Sequence, residues 1–149
     1  MDGAAGNVIF RPHQSEDMPF LMDSWGSSYY KGVPHFKKLT SEEFHSYHRP
    51  IRERFFSKPN TCVIVACPDN DHWFILGWIA VESTPSGLIL QYIYVRATAK
   101  REGMAKDLLA RALPSRPVFY THLTDHAEEI IDSDRSKRFG QFFHIPHLI

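Results

Sequence analysis

The chain has 149 residues and carries 17 Lys plus Arg against 17 Asp plus Glu, so its formal net charge is zero. A chain of this length is expected to form one domain, here residues 1–149, around a single core. Hydrophobic residues at 43% and charged residues at 23% argue against a disordered, collagen-like or coiled-coil protein. Zero net charge also argues against indiscriminate binding of nucleic acid or anionic membrane, so such a partner would have to be recognised by a local patch.

The chain contains no apolar run of the roughly 18–20 residues that span a bilayer. Residues 1–7 have neither the basic nor the apolar region of a secretory signal, so we expect a cytoplasmic protein that is a monomer or a homodimer. Cys62 and Cys67 have opposite parity within one predicted strand, which places them on opposite faces. This arrangement predicts two free, buried thiols in a reducing compartment.

The first half of the chain predicts a strand, two helices and then a hairpin. Residues 8–11 alternate as a short strand, and Ser15 is placed to cap a helix that ends near Gly32. Thr40 begins a capping box for a second helix, in which Pro50 should introduce a kink or a break. The apolar stripes of these helices are Met18, Leu21, Met22, Trp25 and Tyr29, and then Phe44, Tyr47, His48, Ile51 and Phe55.

Three apolar runs at 61–67, 73–81 and 88–95 predict neighbouring strands, because turn-forming residues separate them. The last of these runs is apolar on both faces, so helices should cover both sides of the sheet. A third helix follows Gly103, and a strand at 117–123 then implies a parallel crossover. Beyond it we expect a fourth helix starting near Thr124 and a final strand that includes Phe142 and Phe143.

A basic loop joins the strand at 88–95 to the third helix. The sequence there is Ile93-Tyr94-Val95-Arg96-Ala97-Thr98-Ala99-Lys100-Arg101-Glu102-Gly103-Met104-Ala105. The start of a helix presents unpaired N–H groups and a partial positive charge, and a glycine lets a phosphate approach the backbone closely. Lys100 and Arg101 add formal charge, so this loop is a candidate pyrophosphate site.

The element order and this loop resemble the GNAT N-acetyltransferase superfamily. Its pyrophosphate loop reads Arg or Gln, two residues, Gly, one residue, then Gly or Ala; here the corresponding residues are Lys100-Arg101-Glu102-Gly103-Met104-Ala105. Lys in the first position keeps the charge but lacks the planar fork that holds phosphate bidentately. The match covers roughly residues 88–123. The short chain and its ending are also similar to small phage or prophage GNAT-like proteins, which would admit a nucleic acid or a host protein as the acceptor.

The resemblance implies an α/β fold with a mixed, mostly antiparallel sheet, a central parallel pair splayed around the CoA site, and helices on both faces. It also implies that acetyl-CoA, or another acyl-CoA, binds between the strands at 88–95 and 117–123. Ile93, Tyr94 and Val95 would line that cleft, and the backbone around residues 100–105 would take the pyrophosphate. The expected activity is direct transfer of acetyl to a primary amine of an unidentified acceptor.

Side chains at strand ends facing this cleft are the candidate catalytic groups: Glu82, Gln91, Tyr92, His122 and Asp125. Glu82 and His122 are the strongest candidates for the general base, since both side chains can take a proton at neutral pH when suitably placed. Glu82 follows an apolar run and is expected beside apolar walls. Many members of the superfamily place a Tyr acid in the helix after the last parallel strand, and this chain has no Tyr beyond Tyr120. His126, His144 or His147 are the available substitutes.

Two other classes of function stay open. The missing Tyr admits a catalytically inactive GNAT-like protein that binds CoA or a partner. His122 and His126, together with His144 and His147, also admit a site for zinc or another divalent ion. The span 96–116 is locally basic, which suits CoA phosphates or nucleic acid. A second basic and aromatic cluster, around the first two helices, could recognise an acidic or phosphate-bearing acceptor; it comprises Tyr29, Tyr30, His35, Phe36, Lys37, Lys38, Tyr47, Arg49, Arg52 and Arg54.

Overall fold

The computed structural model describes residues 7–113, 118–120 and 142–144, with the backbone alone for 100–102 and 142–144. In this part of the chain six strands form one sheet in sequential order: β1 (Val8–Pro12), β2 (Thr61–Pro68), β3 (Gly77–Thr84), β4 (Gly87–Val95), β5 (Val118–Tyr120) and β6 (Phe142–His144). Neighbours from β1 to β4 are antiparallel, whereas β4 and β5, and β5 and β6, are parallel. The predicted mixed sheet with a central parallel pair is therefore confirmed.

Three α-helices accompany the sheet in the described residues: α1 (Met18–Gly32), α2 (Ser41–Ser57) and α3 (Met104–Ala112). Short 3-10 segments precede α1 at Ser15–Asp17, join α1 to α2 at Pro34–Lys38, and precede α3 at Ala97–Glu102. The predicted capping box of α2 is present, with the Glu43 N–H donating to the Thr40 side chain and Glu43 accepting from the Thr40 N–H. None of these helices is long and apolar enough to cross a membrane.

The helices lie on opposite faces of the sheet, as predicted. Alternation along β3 directs Trp78 to α1, where its ring lies 5.7 Å from that of Trp25. The neighbouring Gly77 faces α3, because a Cβ built on it would lie 3.3 Å from a methyl group of Leu108. That Cβ would also lie only 2.8 Å from the Tyr94 carbonyl oxygen, so β3 and β4 approach each other here more closely than a side chain allows.

An aromatic cluster fills the core between α1, α2 and the sheet. Trp25 stacks on Tyr92 of β4 with ring centroids 5.5 Å apart, and its edge meets Phe55 of α2. Trp78 donates its indole N–H to Ser24 Oγ at 2.9 Å, which satisfies the polar atom of this buried ring. The cluster therefore fixes both helices against the face of the sheet that carries Trp78 and Tyr92.

An ion pair ties β1 to the start of α1. Both guanidinium ends of Arg11 donate to the buried Asp17 carboxylate, at 2.7 and 2.9 Å, and the Gln14 N–H donates to it at 2.8 Å. Ser15 was predicted to cap this helix, but the Ser15 hydroxyl bonds Glu16 instead. Asp17 takes the capping role because its carboxylate reaches back to the Gln14 N–H, as the acidic residue of a capping box does.

The strand predicted at 73–81 begins four residues later, at Gly77. Residues 68–74 form successive turns, with the Asp71 N–H donating to the Pro68 carbonyl and the Phe74 N–H to the Asp71 carbonyl. Because these turns use the local backbone groups, Trp73 and Phe74 do not enter the sheet. They are 57% and 43% exposed.

The second helix also differs from its prediction. It runs unbroken through Pro50, so the predicted break is wrong. Tyr47 lies 60% exposed, whereas Arg52 is buried in the face of α2 that contacts the core. Cys67 is buried and Cys62 is exposed near the beginning of β2, so only one of the two thiols is buried as predicted. The predicted fourth helix lies outside the described residues.

Candidate functional site

The strand β4 is paired along one side and open along half of the other. It pairs with β3 over its whole length but with β5 only at Leu88–Leu90. Within the described ranges no strand pairs with residues 91–95 on the β5 side. An extended ligand can pair with the backbone N–H and C=O groups of such a strand edge.

A β-bulge shapes the middle of β4. Ala80 lies opposite Tyr92 and Val81 opposite Leu90, so Gln91 is the extra residue on β4. Bulges bend a strand and increase its local twist, and they often redirect a side chain next to a binding site. Here the Gln91 amide donates to Glu82 Oε1 at 3.1 Å, so the bulge brings two predicted candidates together.

The end of β4 leads through the 3-10 segment Ala97–Glu102 into Gly103 and then α3. Gly103 adopts φ 72° and ψ 17°, a left-handed conformation that glycine takes without strain. A Cβ built on Gly103 would meet no atom within 4 Å. As the N-cap residue it has no side chain, so it places no capping oxygen on the N–H groups of the first turn, and helix starts of this kind can bind an anion.

The side chains next to this edge are anchored in the core. Ile93 and Val95 are buried on the face that packs against α3, and Met104 and Ala105 are buried at the start of that helix. Their backbone groups are therefore the part of this segment that a ligand can reach. Tyr94 is half-buried on the opposite face, with its ring 5.9 Å from Phe20.

Some basic residues of this region have structural partners. Arg96 donates through Nε to the Ile75 carbonyl at 2.9 Å, and its guanidinium lies 4.3 Å from the centroid of the Phe74 ring. The Arg111 guanidinium lies 4.0 Å from the centroid of the Phe10 ring. These two cations hold the β2 to β3 connection and α3 in place. The 3-10 segment also contains the backbone of Lys100, Arg101 and Glu102.

Glu82 has polar neighbours in place of the apolar walls that the sequence predicted. Its Oε1 accepts from Gln91 and lies 3.5 Å from Lys58 Nζ, while Oε2 accepts from Asn60 at 3.4 Å. Both oxygens therefore accept hydrogen bonds, and because each carboxylate oxygen has two lone-pair sites, acceptor capacity is left for a substrate proton. The apolar expectation is wrong because the end of β3 lies beside the polar residues that follow α2.

Tyr92 lies within the aromatic cluster, where its hydroxyl is 2.6 Å from Ser28 Oγ. Ser28 donates to the Ser24 carbonyl, so the phenol donates to Ser28. Burial raises the pKa of Tyr92 well above its usual value, although the Ser28 hydrogen bond opposes this shift. The group is a neutral phenol across the physiological range, and this position favours a packing role over that of a base.

The other two predicted catalytic residues, His122 and Asp125, lie outside the described residues, as do His126 and His147. The backbone places His144 in β6, opposite Tyr120. No group of three metal-ligating side chains occurs among the residues that the structure describes.

A cavity of about 710 Å³ lies between α1 and α2 and was not predicted from the sequence. Its walls are Met18, Pro19, Met22, Asp23, His45, Arg49, Arg52, Glu53, Phe56 and Ser57. The available signal was the spacing of Phe44, His48, Arg52 and Phe55, which places an arginine on the apolar face of a helix. Surface arginines are so common on helices that this pattern indicates burial only once the packing partner is known.

No protein-family model and no curated protein matches this sequence, but solved structures do. YycN from Bacillus subtilis, assigned to the acetyltransferases, aligns over 91% of this chain and 93% of its own, with 13% identity and a TM-score of 0.66. The PaiA N-acetyltransferase of Thermoplasma acidophilum, solved with coenzyme A, aligns over 71% of this chain and 69% of its own, with 16% identity and a TM-score of 0.52.

A GNAT-family protein from Desulfovibrio desulfuricans, also assigned to the acetyltransferases, aligns over 70% of this chain at 19% identity and a TM-score of 0.47. The match spans 62% of that protein, which is less than two thirds of its length. The alignments at TM-scores of 0.52 and 0.66 show that this chain has the fold of these acetyltransferases, which is the GNAT fold that the resemblance implied. At these identities the likeness shows the fold alone, so activity has to be inferred from the residues of the site.

Proposed function

We propose that this chain is an acetyl-CoA-dependent N-acyltransferase, with residues 1–149 acting as one acyltransferase domain. The observation that carries the proposal is the continuous path from residues 91–95 of β4, which no described strand covers on the β5 side, to the left-handed Gly103 and the start of α3. The coenzyme A bound to a protein of the same fold supports the same ligand class here.

The residues of this path fit the parts of a CoA molecule. On the β5 side no described strand pairs with the backbone groups of residues 91–95, and these groups suit the amide-containing arm, which can pair with a strand edge. The first N–H groups of α3, with the side chains of Lys100 and Arg101, suit the pyrophosphate. Gly103 would allow the phosphates to approach the backbone, since nothing lies within 4 Å of the position its Cβ would take.

Bound acetyl-CoA would supply the acetyl group, which passes directly to a primary amine as the new C–N bond forms and the C–S bond breaks. The chain must then accept a proton from the amine nitrogen. His122 or Glu82 is the proposed acceptor of this proton. Glu82 would accept the proton on a carboxylate oxygen that also receives a hydrogen bond from Gln91 or Asn60, and Asp125 is a further candidate for the same role.

Calorimetric titration with acetyl-CoA, CoA and dephospho-CoA tests the ligand class without knowledge of the acceptor. We expect micromolar binding of acetyl-CoA, about −8 kcal/mol, and weaker binding of dephospho-CoA because the basic loop loses a phosphate partner. No binding at millimolar acetyl-CoA would contradict the proposal. Free CoA thiol is then measured with polyamines, peptides and nucleic acid as acceptors, and binding without turnover would identify an inactive CoA-binding protein.

The two candidate bases are separated by single substitutions. His122→Ala should lower turnover by about 10²-fold or more while acetyl-CoA affinity changes little, because general base catalysis typically contributes 10²–10⁴-fold. Glu82→Gln keeps the size of the side chain and is the matched comparison. If Glu82→Gln alone abolishes turnover, Glu82 is the base and the preference for His122 is wrong.

A further inference from the structure

The cavity between α1 and α2 is separate from the proposed CoA path. Its walls come from the first two turns of α1 and from the middle and end of α2, whereas α3 and Gly103 lie against the other face of the sheet. A volume of about 710 Å³ is within the range of small-molecule sites. Met18, Met22 and Phe56 give this cavity an apolar side.

Arg52 contributes an unusual polar group to the wall of this cavity. The residue is only 2% exposed, and its one hydrogen bond among the described residues runs from Nη1 to His48 Nδ1 at 2.6 Å. Its Nε has no partner in that part of the chain. No carboxylate there lies within ion-pair distance of it, whereas a buried arginine is normally paired with one. The guanidinium is therefore a buried cation with unused donors.

The surrounding residues hold this guanidinium in position. A Cβ on Gly26 would lie 2.8 Å from Nη1 and 2.9 Å from Cζ, so the absence of a side chain at Gly26 provides its space. Burial and the charges of Arg52 and His45 lower the pKa of His48 to about 3, so His48 is a neutral acceptor. A fixed donor group of this kind binds a planar anion with little loss of side-chain freedom.

The remaining charges at the cavity select among anions. Arg49 adds a second cation and His45 a titratable ring, while Asp23 and Glu53 lie exposed at the rim. Asp23 and Glu53 repel any anion, so a ligand must contact the buried guanidinium directly; an organic carboxylate matches the planar fork of an arginine and, unlike inorganic phosphate, brings an apolar body for the apolar side of the cavity. We propose that this cavity binds a small amphipathic organic carboxylate, with the carboxylate on Arg52 and the apolar body against Met18, Met22 and Phe56.

The test compares three probes on the unmodified protein by NMR chemical-shift perturbation: 3-phenylpropionate, its uncharged amide 3-phenylpropanamide, and inorganic phosphate. We expect the carboxylate to shift residues of α1 and α2, and to bind at least about tenfold more tightly than the amide because a charged hydrogen bond is lost. Equal binding of acid and amide, stronger binding of phosphate, or no binding of the carboxylate up to about 10 mM would overturn the proposal.

Two variants test whether the carboxylate of the ligand binds to Arg52. Arg52→Met should stay folded, since a buried charge can often be replaced by an apolar side chain of similar size, and should weaken 3-phenylpropionate binding at least about tenfold. The matched control is Arg54→Met, an exposed arginine of the same helix outside the cavity wall, which should leave binding unchanged. Equal losses in both variants would overturn the assignment. If Arg52→Met does not fold, the comparison of 3-phenylpropionate with its amide still tests the proposal, because it uses the unmodified protein. Acetyl-CoA binding is measured separately, so the outcome for this cavity does not depend on the proposed acyltransferase function.

Discussion

Substitution of Gly103 tests the proposed pyrophosphate contact most directly. Its φ of 72° costs a residue with a Cβ about 1–2 kcal/mol. Since no atom lies within 4 Å of the position that a Cβ would take, Gly103→Ala adds no clash to this cost. We therefore expect Gly103→Ala to lower the free energy of unfolding by about 1 kcal/mol, and Gly103→Asn by less, because asparagine tolerates the left-handed region better. Gly103→Val is a poorer probe, since a β-branched residue is strained there.

The loss of acetyl-CoA affinity should exceed what these stability changes explain. A protein that stays folded keeps its binding site, so a change of about 1 kcal/mol in unfolding does not by itself weaken binding. A Cβ that occupies the open space at the start of α3 should hold phosphate away from the backbone and weaken acetyl-CoA at least about tenfold in both variants. Urea unfolding and calorimetry measure the two quantities separately. Wild-type affinity in both variants would refute the placement of the pyrophosphate at Gly103.

Three further predictions concern the scaffold and the chemistry. Asp17→Asn should cost about 2–4 kcal/mol in urea unfolding, since it leaves the Arg11 charge with a neutral partner. Burial alone would raise the pKa of Asp17, but the hydrogen bonds from Arg11 and the Gln14 N–H lower it overall. The contribution of Asp17 to stability is therefore present above about pH 4 and is lost as the pH falls through its folded pKa. The difference in the free energy of unfolding between wild type and Asp17→Asn should shrink on acidification. A difference that stays constant with pH would contradict this reasoning. Gly77→Ala should cost about 1–3 kcal/mol, because its Cβ would lie 2.8 Å from a β4 carbonyl oxygen, and an unchanged urea midpoint would refute the close approach. His122→Ala should lower the rate of CoA release far more than Glu82→Gln does.

Local patterns were sufficient to predict much of the fold. The capping box at Thr40 and the glycine before α3 are decided within a few residues, so the sequence alone predicts them. The apolar period of α1 likewise predicted Leu21, Trp25 and Tyr29 as core residues, and all three are buried. The pairing of β2, β3 and β4 followed because short connections favour neighbouring partners, whereas β1 pairs with β2 across the two helices that separate them in sequence.

Features decided by contacts distant in sequence were not predictable in the same way. Trp73 has the composition of a strand residue, but the turns after Pro68 and the position of Arg11 beside its ring place it outside the sheet. Arg52 is buried because Gly26, on a different helix, leaves room for its guanidinium. Two of the three polar neighbours of Glu82, Lys58 and Asn60, likewise come from the residues that follow α2, with Asn60 lying 22 positions earlier in the chain.

The first two turns of α1 serve both proposed sites. Met18 and Met22 form part of the cavity wall, and Phe20 between them contacts the end of β4 on the other side of the helix. The Phe20 ring lies 5.9 Å from that of Tyr94, and the Arg96 guanidinium lies 5.2 Å from the Phe20 centroid. Arg96 is also the residue from which the 3-10 segment leads to Gly103, so α1 contacts the chain where the path to α3 starts. Packed contacts of this kind resist continuous deformation, so the position of α1 constrains both the cavity and the path to α3.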